Sequence, residues 1–570
     1  MQELYDAKIN FEPIEGFEWI AKQLNANIDD TIIEPNEAKL LENDDHPLPE
    51  TFIRELVQNT LDAKSPDKSL VPKVLKLKII NFDSHLTQKI YSKFVNGTVL
   101  KWLAKSKNIE NNYQLSFKAL IASDFNTTGL TGRLDDSKSN WNKYITRVGD
   151  PDLSKEGSLG SAGIGKVATW SCSKLRMVFI RTFIDDPNQE TRFIGRCLRR
   201  GNTEIPNKKN IYRASHEYFV KGSRTNVSVS EDLKKFLSNK LFRFDRDSKG
   251  TDLFFPEFNI FSIEELIPYT LKNWFAPILD GQLEIDMNGE LINKANFKDM
   301  LSKYGSGCEG LDLEMMNFIT NTRNEVCDIN IELKKLDKTQ YSSAQYPGDF
   351  FNLRNYSVKE ITAMINAGKH LIIEVPIEVN LTRGGLLKDT FYIGMKYRSD
   401  KKGVPHFGLT LRDYQILWRE VIFKRDAKYH NDLMITVISK NNITNKVLTY
   451  FEDASHLLFK KASFNGQHEF IQSEAEDLLF IFRNTSNKII NLFLEDDESE
   501  NKDLMAGFFS YKRPGKIKKP TKKPPEEEED YIDDDDLLNS PDNDIDLPQS
   551  KSHLIYLDQQ GKKLFVNSIK

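Results

Sequence analysis

Alternating and clustered apolar positions divide the first half of this chain into short elements. Val74-Leu75-Lys76-Leu77-Lys78-Ile79-Ile80 alternates as a half-buried strand does. Ala119–Ala122 is a short apolar run feeding Ser123 and Asp124, and Leu175–Phe183 and Leu253–Phe255 read as further strands. Phe52 to Ala63 reads as a helix opened by the breaker segment His46–Thr51, with Thr51 as its N-cap. Helices alternating with strands predict an α/β (α+β) sandwich here.

The second half is patterned differently. Leu283 to Ile292 carries Asn288-Gly289 at its centre, which predicts a hairpin. Leu371–Leu381 and Asp389–Tyr397 read as strands, and Leu409–Phe423 and Ile471–Leu494 as helices. The first 45 residues predict an N-terminal arm and an adjoining helix. From Tyr511 a basic, proline-broken run gives way to the acidic run Glu526–Asp536, and such blocks cannot bury a core. The expected organisation is therefore an arm at 1–45, a first domain at 46–261 and a mixed α+β region at 262–510. A disordered charged linker at 511–550 and a docking segment at 551–570 complete it.

Composition narrows the class. Hydrophobic residues make up 39% of the 570, enough to bury sizeable cores, and the net charge of -5 does not mark the whole chain as a nucleic-acid binder. Cys172, Cys197, Cys308 and Cys327 form no C-x-x-C pair, which argues against a disulfide framework or a cysteine-rich zinc site. No apolar run follows a basic start, and none approaches the roughly 18 residues of a membrane span. A cytoplasmic protein without membrane attachment is expected.

Three separated motifs carry candidate chemistry. Glu55, Asn59 and Asp62 stand at i, i+4 and i+7, on one face of the predicted helix. A carboxylate there suits polarisation of a water against a γ-phosphate, and Asn59 one turn on supplies an oxygen for Mg²⁺. The bland alternative is a solvated polar face. Asp124 at a strand end suits an adenine amine, with Gly129 and Thr131 in the loop that follows. In Gly157–Lys166, the residues Gly160, Ser161, Gly163 and Gly165 let backbone N–H groups approach phosphate oxygens, and Lys166 adds a charge. Val167 after Lys166 rules out a Walker A loop. A weaker fourth signal is Gly250-Thr251 before a strand, where Thr251 brings a hydroxyl near the base.

Together these residues resemble the GHKL superfamily of gyrase-type topoisomerases, heat-shock chaperones, histidine kinases, MutL and MORC proteins. Glu55, Asn59, Asp62 and Ala63 match its E-x-x-x-N-x-x-D-A box, and Gly160, Gly163 and Gly165 its G-x-x-G-x-G box. At Asp124 the usual D-x-G-x-G lacks its first glycine. The resemblance spans residues 50–260. It implies a Bergerat-type sandwich, ATP and Mg²⁺ as ligands, hydrolysis of ATP with Glu55 as base, and a lid over 129–157 hinged on glycines.

It further implies a homodimer formed on ATP binding and a transducer-like role for 262–510. Lys396, Arg398 and Lys402 are then candidate phosphate sensors, with no choice among them. One expectation is a conformational switch in bacterial DNA processing or phage defence, acting with DNA or a nuclease-like partner. The other is a chaperone-like ATPase acting on protein clients. Phe451–His456 is the remaining cluster of titratable residues, and a lone histidine beside acids is more often structural.

Overall fold

A computed structural model describes residues 16–25, 47–63, 72–94, 117–136, 139–145, 169, 172–184, 190–198, 203–204, 211–222, 227–244, 246, 248–258, 261–308, 311–335, 340, 347–400, 407–420, 431–440, 442–452, 458–461, 470–494, 556–557 and 563–564. By compactness the chain divides into Met1–Asp496 and Asp497–Lys570. In the second unit Tyr556–Leu557 and Lys563–Leu564 pair antiparallel. The expected linker at 511–550 lies outside the described residues.

The first unit is mixed α+β, built on two mixed sheets. One sheet runs in the order β1 (Phe17–Asn25), β7 (Ile211–Lys221), β5 (Thr191–Leu198), β4 (Met177–Phe183), β8 (Gly250–Phe255), β3 (Phe117–Phe125), β2 (Lys73–Phe82), β9 (Leu283–Met287) and β10 (Glu290–Ile292). A short β6 (Thr203–Glu204) pairs beside β7. Neighbours are antiparallel except β2 and β9, which are parallel. The sheet thus continues past residue 262. Its β9–β10 hairpin turns through Asn288 (φ 57) and Gly289 (φ 97), the left-handed pair that Asn-Gly supplies.

Central strands β4 and β8 are buried on both faces, so they read as unbroken apolar runs rather than alternating ones. Arg181, Thr182, Thr251 and Asp252 interrupt those runs and are themselves buried. One face of the sheet is aromatic: Phe82, Phe179, Phe193, Phe219 and Phe254 pack there with Phe94 of α2 (Ser84–Phe94). The other face carries α1 (Leu48–Asp62), the short α3 (Asn140–Ile145) and α5 (Leu266–Leu279).

Helix α1 starts earlier than the sequence reading has it, and Thr51 is not its cap. Pro47 is the N-cap and Pro49 sits within the first turn, where a missing N–H costs nothing. Phe52, Ile53, Leu56 and Val57 are buried, and so are Arg54 and Gln58, because the helix is covered by the sheet on one side and α5 on the other. Glu55 and Asn59 are half-buried and Asp62 is exposed, so the face that carries them is the one open side of this helix.

The second sheet has the order β12 (Phe351–Asn352), β11 (Ile329–Leu333), β13 (Leu371–Asn380), β14 (Leu386–Tyr397), β17 (Leu433–Ser439), β15 (Phe407–Arg412) and β16 (Gln415–Leu417). Helix α10 (Gln472–Leu494) packs on it through Leu478, Leu479 and Phe482. Two expectations are corrected. Leu409–Phe423 is not helical: residues 407–417 form a hairpin, because Asp413 (φ 55) takes a left-handed turn that no helix can carry. Phe17–Asn25 is an edge strand, not part of a helix. Among the described residues no helix is long and apolar enough to cross a membrane.

Candidate functional site

Two strand ends and one helix make the site. Glu55 and Asn59 are half-buried on α1, and Asn59 Nδ2 donates to Glu55 Oε1 at 3.0 Å. That bond fixes the carboxylate and leaves Asn59 Oδ1 as an acceptor. Asp62 lies exposed at the end of the same helix. Nearby, Lys73 Nζ donates to Leu61 O; burial lowers the Lys73 ammonium, while Asp62, Asp124 and Asp413 pull it back up.

Asp124 stands near the end of β3, one residue before the strand stops. Its Oδ1 accepts the Thr127 hydroxyl and the Thr251 N–H, the latter at 3.0 Å, and among the described residues nothing hydrogen-bonds Oδ2. Burial raises the Asp124 carboxyl, opposed by Arg246 and by the Thr127 and Thr251 hydrogen bonds. The chain then turns through Asn126 (φ 61), whose Nδ2 donates to Pro72 O at 2.7 Å.

Thr251 reaches Asp124 because residue 250 is glycine. Gly250 has φ +141, and a Cβ there would lie 2.7 Å from Asp124 Oδ1 and closer still to Asp124 O and Arg246 Nη1. Gly129 (φ +68) is equally constrained: its Cβ would lie 2.7 Å from both Phe183 O and Thr182 Oγ1. The Thr182 hydroxyl ties these turns together, since it accepts from Leu130 N at 2.9 Å and lies 3.1 Å from Gly250 O and 3.2 Å from Thr251 Oγ1.

Beneath the turns, on the aromatic face, Asp252 pairs with Arg181 at 2.8 Å and Arg246 at 2.7 Å. Arg246 Nη2 also donates to Asp124 O at 2.7 Å, and its Nη1 to Lys249 O at 3.1 Å. This buried triad holds the ends of β3 and β8 in register. Sequence reading missed it, although a charged residue inside each of two apolar strands, Arg181 and Asp252, was its visible mark.

Residues 129–136 and 139–145 are pinned. Thr131 O accepts from Trp141 N at 3.0 Å, and the Thr131 hydroxyl accepts from Asn140 Nδ2 at 3.1 Å. Arg192 of β5 donates to Gly132 O at 2.8 Å, and Arg196 donates to Ile145 O. Trp141, Tyr144 and Ile145 are buried in the core. Gly129 and Gly132 sit where the backbone is closely packed, and a Cβ at either would collide with its neighbours. The remainder of that segment, Gly149 and Gly157 included, and the glycine-rich run after it with Gly160, Ser161, Gly163, Gly165 and Lys166, lie outside the described residues.

Tyr144 is buried, and burial raises its phenol; the charges of Glu55 and Asp124 act in the same direction. Asp124, Thr251, Gly129 and Thr131 thus lie in one hydrogen-bonded corner, and Glu55 and Asn59 form a pair of their own on α1. The arrangement offers a hydrogen-bond acceptor and a fixed carboxylate–carboxamide pair, suited to a ligand with a donor at one end and anionic oxygens at the other.

The expected phosphate sensors are otherwise engaged. Arg398 is buried and pairs with Asp312, Lys396 lies 3.7 Å from Glu314, and Lys402 is outside the described residues. Glu452 faces Arg412 in the second core, and His456 also lies outside. Among the described residues no group of three or more His, Cys, Asp and Glu side chains could hold a metal ion. In comparisons with known proteins, the chain matches no family model and no curated protein.

Proposed function

We propose that this chain binds ATP at a Bergerat-type site of the GHKL kind and hydrolyses it. What carries the reading is the Asp124 carboxylate, held through Oδ1 by Thr127 and Thr251 at the strand end, together with the hydrogen-bonded Glu55–Asn59 pair on α1. Oδ2 of Asp124 is the acceptor for the adenine amine, while Thr127 and Thr251 hold the carboxylate still through Oδ1. Glu55 is the general base that takes a proton from the attacking water. Asn59 holds its carboxylate through Nδ2 and has Oδ1 free of that bond, the hard oxygen donor that Mg²⁺ favours. The ion, mostly coordinated by water and phosphate, needs no cluster of protein carboxylates and would neutralise phosphate charge.

ATP then acts as a switch for dimerisation, and the work is done on DNA or through a nuclease-like partner in genome maintenance or defence. The test is phosphate release by the full chain with Mg²⁺ and ATP, GTP or no nucleotide, each with and without duplex DNA. Release with ATP and not with GTP, faster with DNA, is the expected result. Equal turnover of ATP and GTP would remove Asp124 from base recognition, and no release would overturn the enzymatic reading.

A further inference from the structure

The helix that carries Glu55 is held from the second sheet. Glu50, in the first turn of α1, is 2% exposed, and its Oε1 accepts from Asn273 Nδ2 at 2.9 Å. Lys272 Nζ lies 3.5 Å from the same oxygen. Asn273 is 3% exposed; its Oδ1 accepts from the indole N–H of Trp418 at 2.7 Å. Trp418 directly follows β16, and Lys272 sits over its ring at 4.6 Å. A continuous chain of polar contacts therefore runs from the second sheet, through one asparagine on α5, to the start of α1.

The sequence explains why Asn273 is available for this. Pro277 lies four residues further on, where its ring clashes with the Asn273 carbonyl, and α5 is non-helical at Trp274 (φ -127, ψ 19). The break presents Asn273 between α1 and the β15–β16 hairpin. The same hairpin meets the other end of α1: Arg412, Asp413, Tyr414 and Gln415 line a cavity of about 140 Å³ together with Gln58, Asp62 and Lys73. Glu55 lies between the two contacts.

We infer that Trp418 and Asn273 are positioning residues, through which the second sheet sets where Glu55 sits. This rests on the reading of Glu55 as the base. Glu50 and Glu55 ride one rigid helix, about 7.5 Å apart along its axis, so a shift at Glu50 is passed to Glu55 nearly whole. Proton transfer is sensitive to displacements well below 1 Å, whereas adenine contacts made by β3 and β8 are not moved by α1. The position of α1 should therefore change turnover more than affinity, since of the proposed ligand-binding residues only Asn59 rides on it.

Trp418→Phe keeps an aromatic ring at this position and removes the N–H together with the second ring of the indole. The expected result is a fall in kcat on the order of tenfold with a markedly smaller change in KM for ATP. Hydrogen exchange of the backbone amides of residues 50–59 should rise several-fold, at an unchanged melting temperature. Glu50→Gln, which retains an acceptor for Asn273, should stay within about twofold of the parent, and Glu50→Ala should behave like Trp418→Phe. Unchanged exchange in α1 overturns the inference, as does a loss of affinity equal to the loss of kcat. If Glu55→Ala itself retains turnover, the reading of Glu55 fails instead, and the exchange data still decide whether Trp418 holds the helix.

Discussion

Each sheet buries a pair of opposite charges in its interior, and the two pairs are built differently. In the first sheet Asp252 meets two arginines, and every arm of Arg246 has a partner, including the backbone oxygens of Asp124, Thr251, Ser248 and Lys249. In the second, Arg412 and Glu452 face each other at 2.7 Å with no exposure. Arg412 Nη2 donates to Gln415 Oε1, but Arg412 Nε and Nη1 are buried without a partner, and Glu452 meets the guanidinium as a charge rather than an aligned acceptor. A fully satisfied network that grips loop backbone is scaffolding for a site. A half-satisfied pair inside an apolar core is a cost the core carries. The difference accords with the proposed chemistry in the first region and with packing in the second.

The largest expected effect tests the first half of that statement. Glu55→Ala should lower phosphate release by on the order of 10³-fold and leave ATP binding within a few-fold of the parent, since the base acts on water rather than on nucleotide. Turnover at the parental rate would take the chemistry away from α1. The second half is tested in the other core. Arg412→Met removes the buried countercharge of Glu452 and should cost about 3–5 kcal/mol in denaturant unfolding, whereas Arg412→Met with Glu452→Leu should come out close to neutral. If the double variant is as unstable as the single one, the pair is doing more than filling a core.

These regions also differ in how much their residues announce. The spacing of Glu55, Asn59 and Asp62 on one helix was legible because helical periodicity is local, and so was the Asn288-Gly289 hairpin, whose turn is dictated by two residues. Strands Lys73–Phe82, Leu371–Asn380 and Leu386–Tyr397 fall close to their apolar runs. The β15–β16 hairpin was not legible: an aspartate rather than a glycine makes its left-handed turn, so the short alternation Leu409-Thr410-Leu411-Arg412 runs on into Tyr414–Trp418 with no turn signal between them. The threonine and arginine residues that hold the site together, Thr182, Arg192 and Arg246, come from sequence far from Asp124, and only the pairing of strands brings them there.

Glycine substitution sharpens the contrast between a turn that packs against the site and one that does not. Gly250→Ala forces a left-handed residue and places a methyl against Asp124, so it should cost about 3 kcal/mol and reduce ATP binding. Gly289→Ala has the same kind of backbone (φ +97) with nothing within 4 Å of the added carbon, and should cost about 1 kcal/mol without touching nucleotide affinity. Thermal melts and calorimetric titration of the pair separate crowding from backbone strain; equal costs would mean that the Asp124 contact is slack.

Asp124→Asn replaces an acceptor by a partial donor and should weaken ATP binding by about 1–3 kcal/mol. Because burial holds the parental carboxyl above its ordinary range, and the adenine amine favours the ionised form, binding should release protons in mildly acidic buffer and tighten as pH rises. Calorimetry in buffers of different ionisation heat measures that release. A pH-independent affinity with no proton release would separate Asp124 from the ligand.

Burial acts with the opposite sign in the second region, where it gives the smallest effect. His370 opens β13's side of the junction with α7 (Leu313–Arg323): Nε2 lies 3.0 Å from Thr322 Oγ1, and its ring packs on Phe318 at a centroid distance of 4.9 Å. Desolvation, helped by Lys396, lowers the imidazole from 6.5 to about 4, against the pull of Asp328 and a backbone hydrogen bond with Val326. Between those two values the unfolded chain carries a proton that the folded chain does not. Acidification through this window therefore favours unfolding, and below about 4 both states are protonated and the dependence on this group ends. Stability should fall by on the order of 1 kcal/mol per pH unit as pH drops across the window, superimposed on the carboxylates' own contribution. His370→Phe should flatten that slope by the same amount, and it leaves the Thr322 hydroxyl its bond to Phe318 O at 2.9 Å. Denaturant midpoints at several pH values for parent and variant isolate the difference; parallel curves would mean that the imidazole is hydrated in the folded protein and that this junction is looser than the core beside it.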